Sequence, residues 1–317
     1  MKCVLIAGIS LMCSFSNAEM PRFDKGPRPK NFQELRLYHA ERGLSISHKK
    51  IKTPQDVQQT NNIVYAQRED HPLHIDTFVP NRVNSLKSVV ILVHGGGWKK
   101  GDRSKEHTKA AWFSNRGYVV VCPEYRLSGE AIFPAAIHDL KDAICWTREH
   151  AKKWGGQPDR IVLMGFSAGA HLVALAAAAG PEAGLDTLKS KKQSGSLAAC
   201  IVVAGPSITN DERAFLEARK PESNYQLFLG GLPENIPATY EKASPAHWVS
   251  GNEPPMLFIT EGNPSAHDTI RSKLDDVGIR NEIFNLTGGL HSEWNWEPWF
   301  TPTMEVTESF IRSVITH

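Results

Sequence analysis

The stretch Arg160–Leu172, RIVLMGFSAGAHL, decides the fold of this chain. It opens with the apolar run Ile161–Met164, typical of a buried strand, and ends in an Ala- and Leu-rich segment typical of a helix. Between them lies Gly165-Phe166-Ser167-Ala168-Gly169, a G-x-S-x-G pattern. Glycines permit a sharp strand-to-helix turn here, because a Cβ at either position would clash with the strand or the helix. The pattern predicts an exposed Ser167 hydroxyl at the positive end of a helix.

Two further motifs flank this turn in the chain. Upstream, VVILVHGGGWKK at Val89–Lys100 is an apolar strand that runs directly into three glycines and a tryptophan. Downstream, Gly288-Gly289-Leu290-His291 follows another apolar stretch. A glycine loop, a serine turn and a late histidine, in this order, are typical of the α/β-hydrolase fold. Strands that alternate with helices predict the same class, a mostly parallel central sheet with helices on both faces.

On these motifs the chain resembles α/β-hydrolase esterases of the HGGG(W) and GxSAG type. It is similar to bacterial acetyl-xylan and feruloyl esterases and to hormone-sensitive-lipase-like carboxylesterases, over roughly residues 60–317. Short segments at similar places add to the resemblance: Tyr125-Arg126-Leu127, Phe133-Pro134-Ala135-Ala136, Asp139, Trp146 and Ala243-Ser244-Pro245. The resemblance implies a serine hydrolase that cleaves short-acyl esters, of acetyl or feruloyl type, on a small-molecule or polysaccharide-linked substrate.

Ser167 is the predicted nucleophile, and it needs a base because a serine hydroxyl attacks poorly at neutral pH unless its proton is removed. His291 is the predicted base, since it follows the last predicted strand. His267 is the second choice, because it precedes that strand.

The oxyanion hole is expected to consist of backbone N–H groups. Ala168, the residue after the nucleophile, supplies one, and Gly96 or Gly97 supplies another because glycine lets the backbone approach the substrate closely. His94 is expected to brace this glycine loop by hydrogen bonding. Trp98 is expected to pack beneath the loop or to line the acyl pocket.

The triad acid is where the sequence departs from the family. Relatives carry an Asp two to three residues beyond a Gly after the strand that here ends at Thr260, whereas this chain reads EGNPSAHD at 261–268. Asp268 is the first choice, although Asp is also common at helix starts as a partner of the helix dipole. Glu261 at the strand end and Asp211 after the preceding strand are the alternatives, and the absence of any acid is the fourth possibility.

Composition narrows the function further. The 317 residues are 41% hydrophobic, which is ordinary for a globular protein, and we expect one hydrolase domain. Thirty-six Lys and Arg against 34 Asp and Glu give a formal charge of +2, and no long basic run is present, so a nucleic-acid surface is not expected. No metal, phosphate or dinucleotide motif is found, and no cofactor is expected.

The N-terminus suggests an exported protein. Met1–Ala18 has a basic Lys2, a short apolar run and small residues at its end, and predicts a secretory signal. We therefore expect a secreted or periplasmic protein without stable membrane insertion after cleavage. Residues 19–59 are expected to form an N-terminal extension with one helix, 60–317 the hydrolase domain, and 205–251 a small cap or a surface excursion. Two of the five cysteines, Cys3 and Cys13, lie in the predicted signal segment. The other three allow at most one disulfide, and buried free thiols are favoured: Cys122, Cys145 and Cys200.

Two alternative functions stay open at this stage. Formamidases share an H-G-G-x-W signature, so an amide hydrolase is the second enzymatic hypothesis. A catalytically weak hydrolase fold used for binding is the third, supported by the departure of residues 261–268 from the family pattern of the acid.

The aromatic residues after His291 could stack on a sugar or aryl group, but packing in the core is favoured: Trp294, Trp296, Trp299 and Phe300.

Overall fold

The computed structural model describes residues 29–69, 71–192, 195–288 and 290–315. The predicted signal segment 1–18 and Gly289 lie outside these residues. The strands are β1 Ser47–His48, β2 Val57–Gln67, β3 Pro72–Pro80, β4 Val89–Val93, β5 Val119–Pro123, β6 Ile161–Phe166, β7 Ala199–Val203, β8 Met256–Glu261, β9 Asn281–Leu286 and β10 Trp296–Glu297. The helices are α1 Phe32–Ala40, α2 His107–Ser114, α3 Ala135–His150, α4 Ala168–Ala178, α5 Glu212–Ala218, α6 Asn224–Leu229, α7 Pro237–Lys242, α8 Asp268–Asp276 and α9 Phe300–Ile315.

Eight strands form one sheet in the order β2-β3-β5-β4-β6-β7-β8-β9. The hairpin β2–β3 is antiparallel, as the alternating sequence at Ile63–Ala66 and Leu73–Val79 predicts, and β3 is antiparallel to β5. From β5 to β9 every neighbouring pair is parallel. The sheet is therefore mostly parallel, as expected.

The central strands are buried on both faces. Every residue of β4, β6 and β7 is buried, and the side chains divide into two apolar clusters, one on each side of the sheet. Continuous apolar strands are what a parallel sheet covered by helices on both faces requires. In such a sheet the carboxyl ends of the strands lie along one edge, and the motifs of the sequence follow β4, β6, β8 and β9 at that edge.

The segment before the sheet packs on the loop that follows β9. Phe32 in α1 stacks on Trp296, with ring centroids 4.2 Å apart and planes at 10°. β1 pairs with β10 in antiparallel register, Ser47 opposite Glu297 and His48 opposite Trp296. The N-terminal segment thus contacts the part of the chain that directly follows His291.

Three features concern the chain outside the site. Among the described residues, no helix is both long and apolar enough to cross a membrane. The thiols of Cys122, Cys145 and Cys200 are free and buried. Burial raises the pKa of all three, that of Cys145 to about 11, so they are unreactive at neutral pH.

Candidate active site

Ser167 lies at a sharp turn between β6 and α4. Its backbone has φ 53° and ψ −117°, a strained conformation for a non-glycine residue that is common at functional sites. A Cβ on Gly165 would lie 2.2 Å from the Gly169 carbonyl oxygen, and a Cβ on Gly169 would lie 2.2 Å from the Val93 carbonyl oxygen. The two glycines are therefore required by backbone contacts, which confirms the predicted turn.

His291 meets Ser167 from the loop after β9. Its Nε2 lies 2.8 Å from the Ser167 Oγ, within the distance that a proton transfer needs. The side chain is 58% exposed, and its ring packs edge-on against Trp294 with centroids 5.1 Å apart. The structure thus brings together the two residues predicted as nucleophile and base.

The carboxylate on His291 belongs to Glu261, the last residue of β8. The His291 Nδ1 donates to Glu261 Oε2 over 2.6 Å, and Glu261 Oε1 accepts the Ser292 N–H over 2.6 Å. One carboxylate therefore binds both the imidazole and the backbone of its loop. This leaves the His291 Nε2 free to accept the serine proton.

The choice of Asp268 as the acid is wrong. Gly262 turns the chain immediately after β8, and a 3-10 helix at Pro264–His267 then carries Asp268 to the exposed first position of α8. Asp211 is wrong as well, because it caps α5 by accepting the Ala214 N–H over 2.7 Å. The second choice, Glu261, makes the contact.

The environment of this pair shifts both pKa values. Burial raises the pKa of the Glu261 carboxyl above the ordinary glutamate value, against the effect of its hydrogen bonds. For His291, the partial loss of solvent around the ring acts to lower the pKa, but the hydrogen bond and the charge of Glu261 outweigh it and raise the pKa above its ordinary value. The Glu261 charge thus favours the imidazolium that forms when His291 takes a proton.

The glycine loop places Gly97 and Ala168 at the pocket that contains Ser167. Ala168 is the first residue of α4, where a helix leaves its N–H groups without intrahelical partners. Gly96 serves the loop itself, because its carbonyl accepts the N–H groups of Lys99 and Lys100, and a Cβ on it would lie 1.7 Å from the Lys100 oxygen. Of the two predicted glycines, Gly97 therefore lines the pocket and Gly96 closes the turn of the loop.

His94 braces the glycine loop, as expected. The ring is buried, its Nδ1 lies 3.0 Å from the Gly95 carbonyl oxygen, and it stacks on Tyr125 at 4.4 Å. The Tyr125 hydroxyl donates to the His94 carbonyl over 3.0 Å. Burial lowers the His94 pKa, so the ring is neutral and Nδ1 donates to Gly95.

The pocket has a volume of about 670 Å³ and draws part of its wall from residues 205–251. α6 packs on the glycine loop there, since Phe228 stacks on Trp98 with centroids 4.7 Å apart. Trp98 both packs against this helix and lines the pocket. Asn224, at the start of α6, also lines the pocket, and the sequence motifs give no signal for it.

His267 lies in the pocket wall but not on Ser167. It is buried, and its Nδ1 lies 2.9 Å from the Ser207 hydroxyl. Burial lowers its pKa to about 4, so the ring is neutral near pH 7. It is therefore a polar wall residue, and His291 is the histidine placed to act as the base.

The aromatic residues after His291 pack in the core, as favoured from the sequence. Trp294, Trp299 and Phe300 are buried, and Trp294 stacks on Phe166 beside the serine turn. None of the described side chains that line the pocket comes from this group. The described residues also contain no group of three or more His, Cys, Asp or Glu that could hold a metal ion.

Comparisons with known proteins place the chain in a family. The family model described as BD-FAE matches residues 75–269, which include most of β3, all of β4 to β8 and the serine turn. The chain belongs to the BD-FAE family. The loop with His291 lies beyond the matched segment of this BD-FAE family member, and Glu261 lies inside it.

Individual relatives carry esterase names. The chain is 32% identical to the esterase LipQ of Mycobacterium tuberculosis over 197 residues, 60% of this chain and 46% of that protein. It is 37% identical to an arylesterase of Saccharolobus solfataricus over 108 residues, 33% of this chain and 35% of that protein. The matched segments thus cover less than half of the length of these relatives.

Solved structures with the same fold extend over most of the chain. A thermophilic esterase of Thermogutta terrifontis with bound propionate superposes with a TM-score of 0.66 at 23% identity, covering 82% of this chain and 95% of that chain. A truncated carbohydrate esterase from gut microbiota gives 0.64 at 21% identity, covering 84% and 99%. The predicted α/β-hydrolase fold of this BD-FAE family member is thereby confirmed.

Proposed function

We propose that this protein is a serine hydrolase that cleaves carboxylic esters through an acyl-enzyme. The observation that carries the proposal is the continuous chain of contacts from Glu261 through His291 to Ser167, at 2.6 and 2.8 Å. A nucleophile, a base and a carboxylate that orients the base are the groups that acyl transfer needs, in the geometry that it needs.

Each group has a defined role in this reaction. His291 Nε2 takes the Ser167 proton as Oγ attacks the ester carbonyl, and the electron pair of that carbonyl moves onto its oxygen. The N–H groups of Gly97 and Ala168 stabilise the resulting oxyanion. Collapse forms the acyl-enzyme, and the alcohol leaves with the proton from His291. Water then repeats the sequence and releases the acid, with His291 again acting as base and then as acid.

The relatives support ester rather than amide hydrolysis. Their names include esterase, arylesterase and probable carboxylic ester hydrolase, and one structural neighbour is a carbohydrate esterase.

We further propose that the acyl group is short. Exposed charged side chains line part of the pocket wall, among them Lys99, Arg213 and Glu217. A long alkyl chain placed there would remove water from charges without replacing their hydrogen bonds, which is unfavourable. Turnover should therefore be faster with acetyl or butyryl aryl esters than with the dodecanoyl ester. A dodecanoyl preference would contradict this part of the proposal.

A fluorophosphonate probe tests the central proposal. The folded protein should be labelled at Ser167 at pH 7–8, and Ser167→Ala should abolish both labelling and ester hydrolysis. Ser207→Ala is the matched control, because the Ser207 hydroxyl also lies beside a histidine in the pocket wall. The probe should not react with Ser207, so this variant should be labelled at Ser167 like the wild type. Labelling elsewhere, or none, would favour a binding protein. Comparable turnover of N-formyl aromatic amides would instead favour an amide hydrolase.

Export remains a proposal that rests on the sequence of Met1–Ala18 alone. Expression with this segment should yield a protein in the periplasm or medium whose first residue is Glu19. Retention of Met1 on a cytoplasmic product would contradict it.

A further inference from the structure

Asn224 occupies an unusual place in the pocket. It is the first residue of α6 and lies against the glycine loop: its Nδ2 is 2.5 Å from the point where a Cβ on Gly97 would sit. The absence of a side chain on Gly97 therefore makes room for the Asn224 amide. Both residues line the pocket that contains Ser167.

The carbonyl oxygen of the Asn224 amide has no role in the part of the fold that the structure describes. Its Oδ1 is buried without a hydrogen-bond partner among the described residues. The start of α6 is already capped by Ser223, whose hydroxyl accepts the Tyr225 N–H over 3.1 Å. The unpaired buried atom is the acceptor Oδ1, and a donor role for the amide would not relieve its cost of about 1–3 kcal/mol. The donor Nδ2 is the amide atom nearer to the glycine loop, 2.5 Å from the Cβ position of Gly97 against 3.3 Å for Oδ1.

The position of α6 relative to the oxyanion site is fixed by aromatic packing. Phe228, one turn beyond Asn224, stacks on Trp98, and Tyr225 meets the same ring edge-on at 5.3 Å. Trp98 directly follows Gly97 in the loop. The amide and the Gly97 backbone are therefore held together by a rigid contact, as a preorganised donor must be.

We propose that the Asn224 side-chain amide is a third oxyanion donor, next to the N–H groups of Gly97 and Ala168. The inference rests on the proposed function, because it concerns the same reaction. As Ser167 Oγ bonds to the carbonyl carbon, the carbonyl electron pair moves to the oxygen and His291 takes the proton. Asn224 Nδ2 donates to that oxygen and keeps its own protons. Because the charge exists mainly in the transition state, this contact lowers the barrier more than it strengthens substrate binding.

The test compares two substitutions with a control in the same helix. Asn224→Leu keeps the approximate size of the side chain and removes the donor, and Asn224→Asp keeps the shape but places a carboxylate there. Gln226→Leu is the control, since Gln226 carries an amide on α6 that bonds to the Ala218 carbonyl and does not line the pocket. Steady-state kinetics with an acetyl aryl ester and fluorophosphonate labelling of Ser167 are measured for each.

Both Asn224 variants should lower kcat at least about tenfold and leave KM within about threefold, since loss of one oxyanion donor typically costs about 10²–10³ in kcat and two donors remain here. Gln226→Leu should stay within about twofold of the wild type in both constants. If Asn224→Leu fails to fold, Asn224→Ala decides, because it removes the donor without the negative charge that Asn224→Asp places beside the oxyanion.

Several results would overturn the inference. Wild-type kcat in Asn224→Asp would show that a donor is not needed there. An increase in KM at unchanged kcat would show uniform binding rather than oxyanion stabilisation. If the wild-type protein hydrolyses esters and is labelled at Ser167 while the Asn224 variants behave like it, only this inference fails. If the wild-type protein does neither, the proposed function fails and the inference with it.

Discussion

The serine turn at Gly165–Gly169 and the acid loop, residues 261–268, are two regions of one site that the sequence specifies in different ways. At the turn, backbone atoms pass so close together that Gly165 and Gly169 cannot carry a Cβ. At the acid loop, the backbone admits either carboxylate residue, but Glu261 hydrogen-bonds to His291 whereas Asp268 is exposed at the first position of α8. The first region is specified by residue type at fixed spacing, and the second by the three-dimensional path of a short loop.

This difference explains why a sequence motif identifies the residues of the serine turn but not the triad acid. A glycine that is required by a backbone contact leaves a fixed pattern in the sequence. A carboxylate that must reach a histidine can come from several positions, because a glutamate side chain is one methylene longer than that of an aspartate. In this chain the turn at Gly262 comes directly after β8, and the strand-end glutamate reaches the imidazole from there.

The largest effect is expected at the serine turn. Gly169→Ala would place a Cβ 2.2 Å from the Val93 oxygen and 2.5 Å from the His94 oxygen, and backbone cannot yield as a side chain can. We expect a loss of at least about 3 kcal/mol in the free energy of unfolding, at the upper end of overpacking effects. Urea unfolding followed by circular dichroism measures it. Gly129→Ala is the control, since no atom lies within 4 Å of its Cβ position. Equal stability of the two variants would refute the proposed basis of the turn.

A smaller effect, on rate rather than on folding, is expected at the acid loop. Glu261→Gln should lower kcat at least about a hundredfold, because the imidazole loses the charge that stabilises its protonated form; the triad Asp→Asn change in a serine protease costs about 10⁴. Asp268→Asn and Asp211→Asn should each stay within about threefold. Kinetics with an acetyl aryl ester compare the three. A larger loss in Asp268→Asn than in Glu261→Gln would return the role to Asp268.

The smallest effect, on the free energy of unfolding, is expected where α1 packs on the segment that follows His291. Phe32→Ala removes the stacking partner of Trp296 and should lower the free energy of unfolding by about 1–2 kcal/mol, within the range of an aromatic pair plus partly buried area. Leu37→Ala on the same helix is the control, since that side chain is 61% exposed and should change stability by less than about 0.5 kcal/mol. Thermal unfolding measures both. Equal effects would mean that α1 does not stabilise this loop through Trp296.

The fold, Ser167, Ala168, the glycine loop and His291 can be predicted from the sequence, because residue type at a fixed spacing or chain order specifies each of them. Apolar runs separated by helical segments predict the parallel sheet, and the glycine patterns predict Ser167, Ala168 and the glycine loop. His291 follows from chain order. The family spacing favours an aspartate and therefore Asp268 over Glu261, whereas the 3-10 helix after Gly262 moves that aspartate to the surface.

Asn224 could not be found from the sequence at all. It lies far along the chain from Gly97, in a segment that has no motif, and its position depends on the packing of Phe228 against Trp98. Contacts of this kind arise from tertiary structure, and neither local propensity nor spacing predicts them.

The most direct test of the central claim is the pKa of His291, measured by NMR titration of imidazole-labelled protein and assigned by the signal lost in His291→Gln. Because the Glu261 charge and hydrogen bond raise this pKa above 6.5, Glu261→Gln should lower it, and the acid limb of the residual pH–rate profile should move to lower pH with it. Asp268→Asn should leave the pKa within about 0.3 units of the wild-type value, since an exposed charge at the start of α8 is screened by solvent. An unchanged pKa in Glu261→Gln together with a lowered pKa in Asp268→Asn would contradict the assignment of Glu261 as the partner of His291.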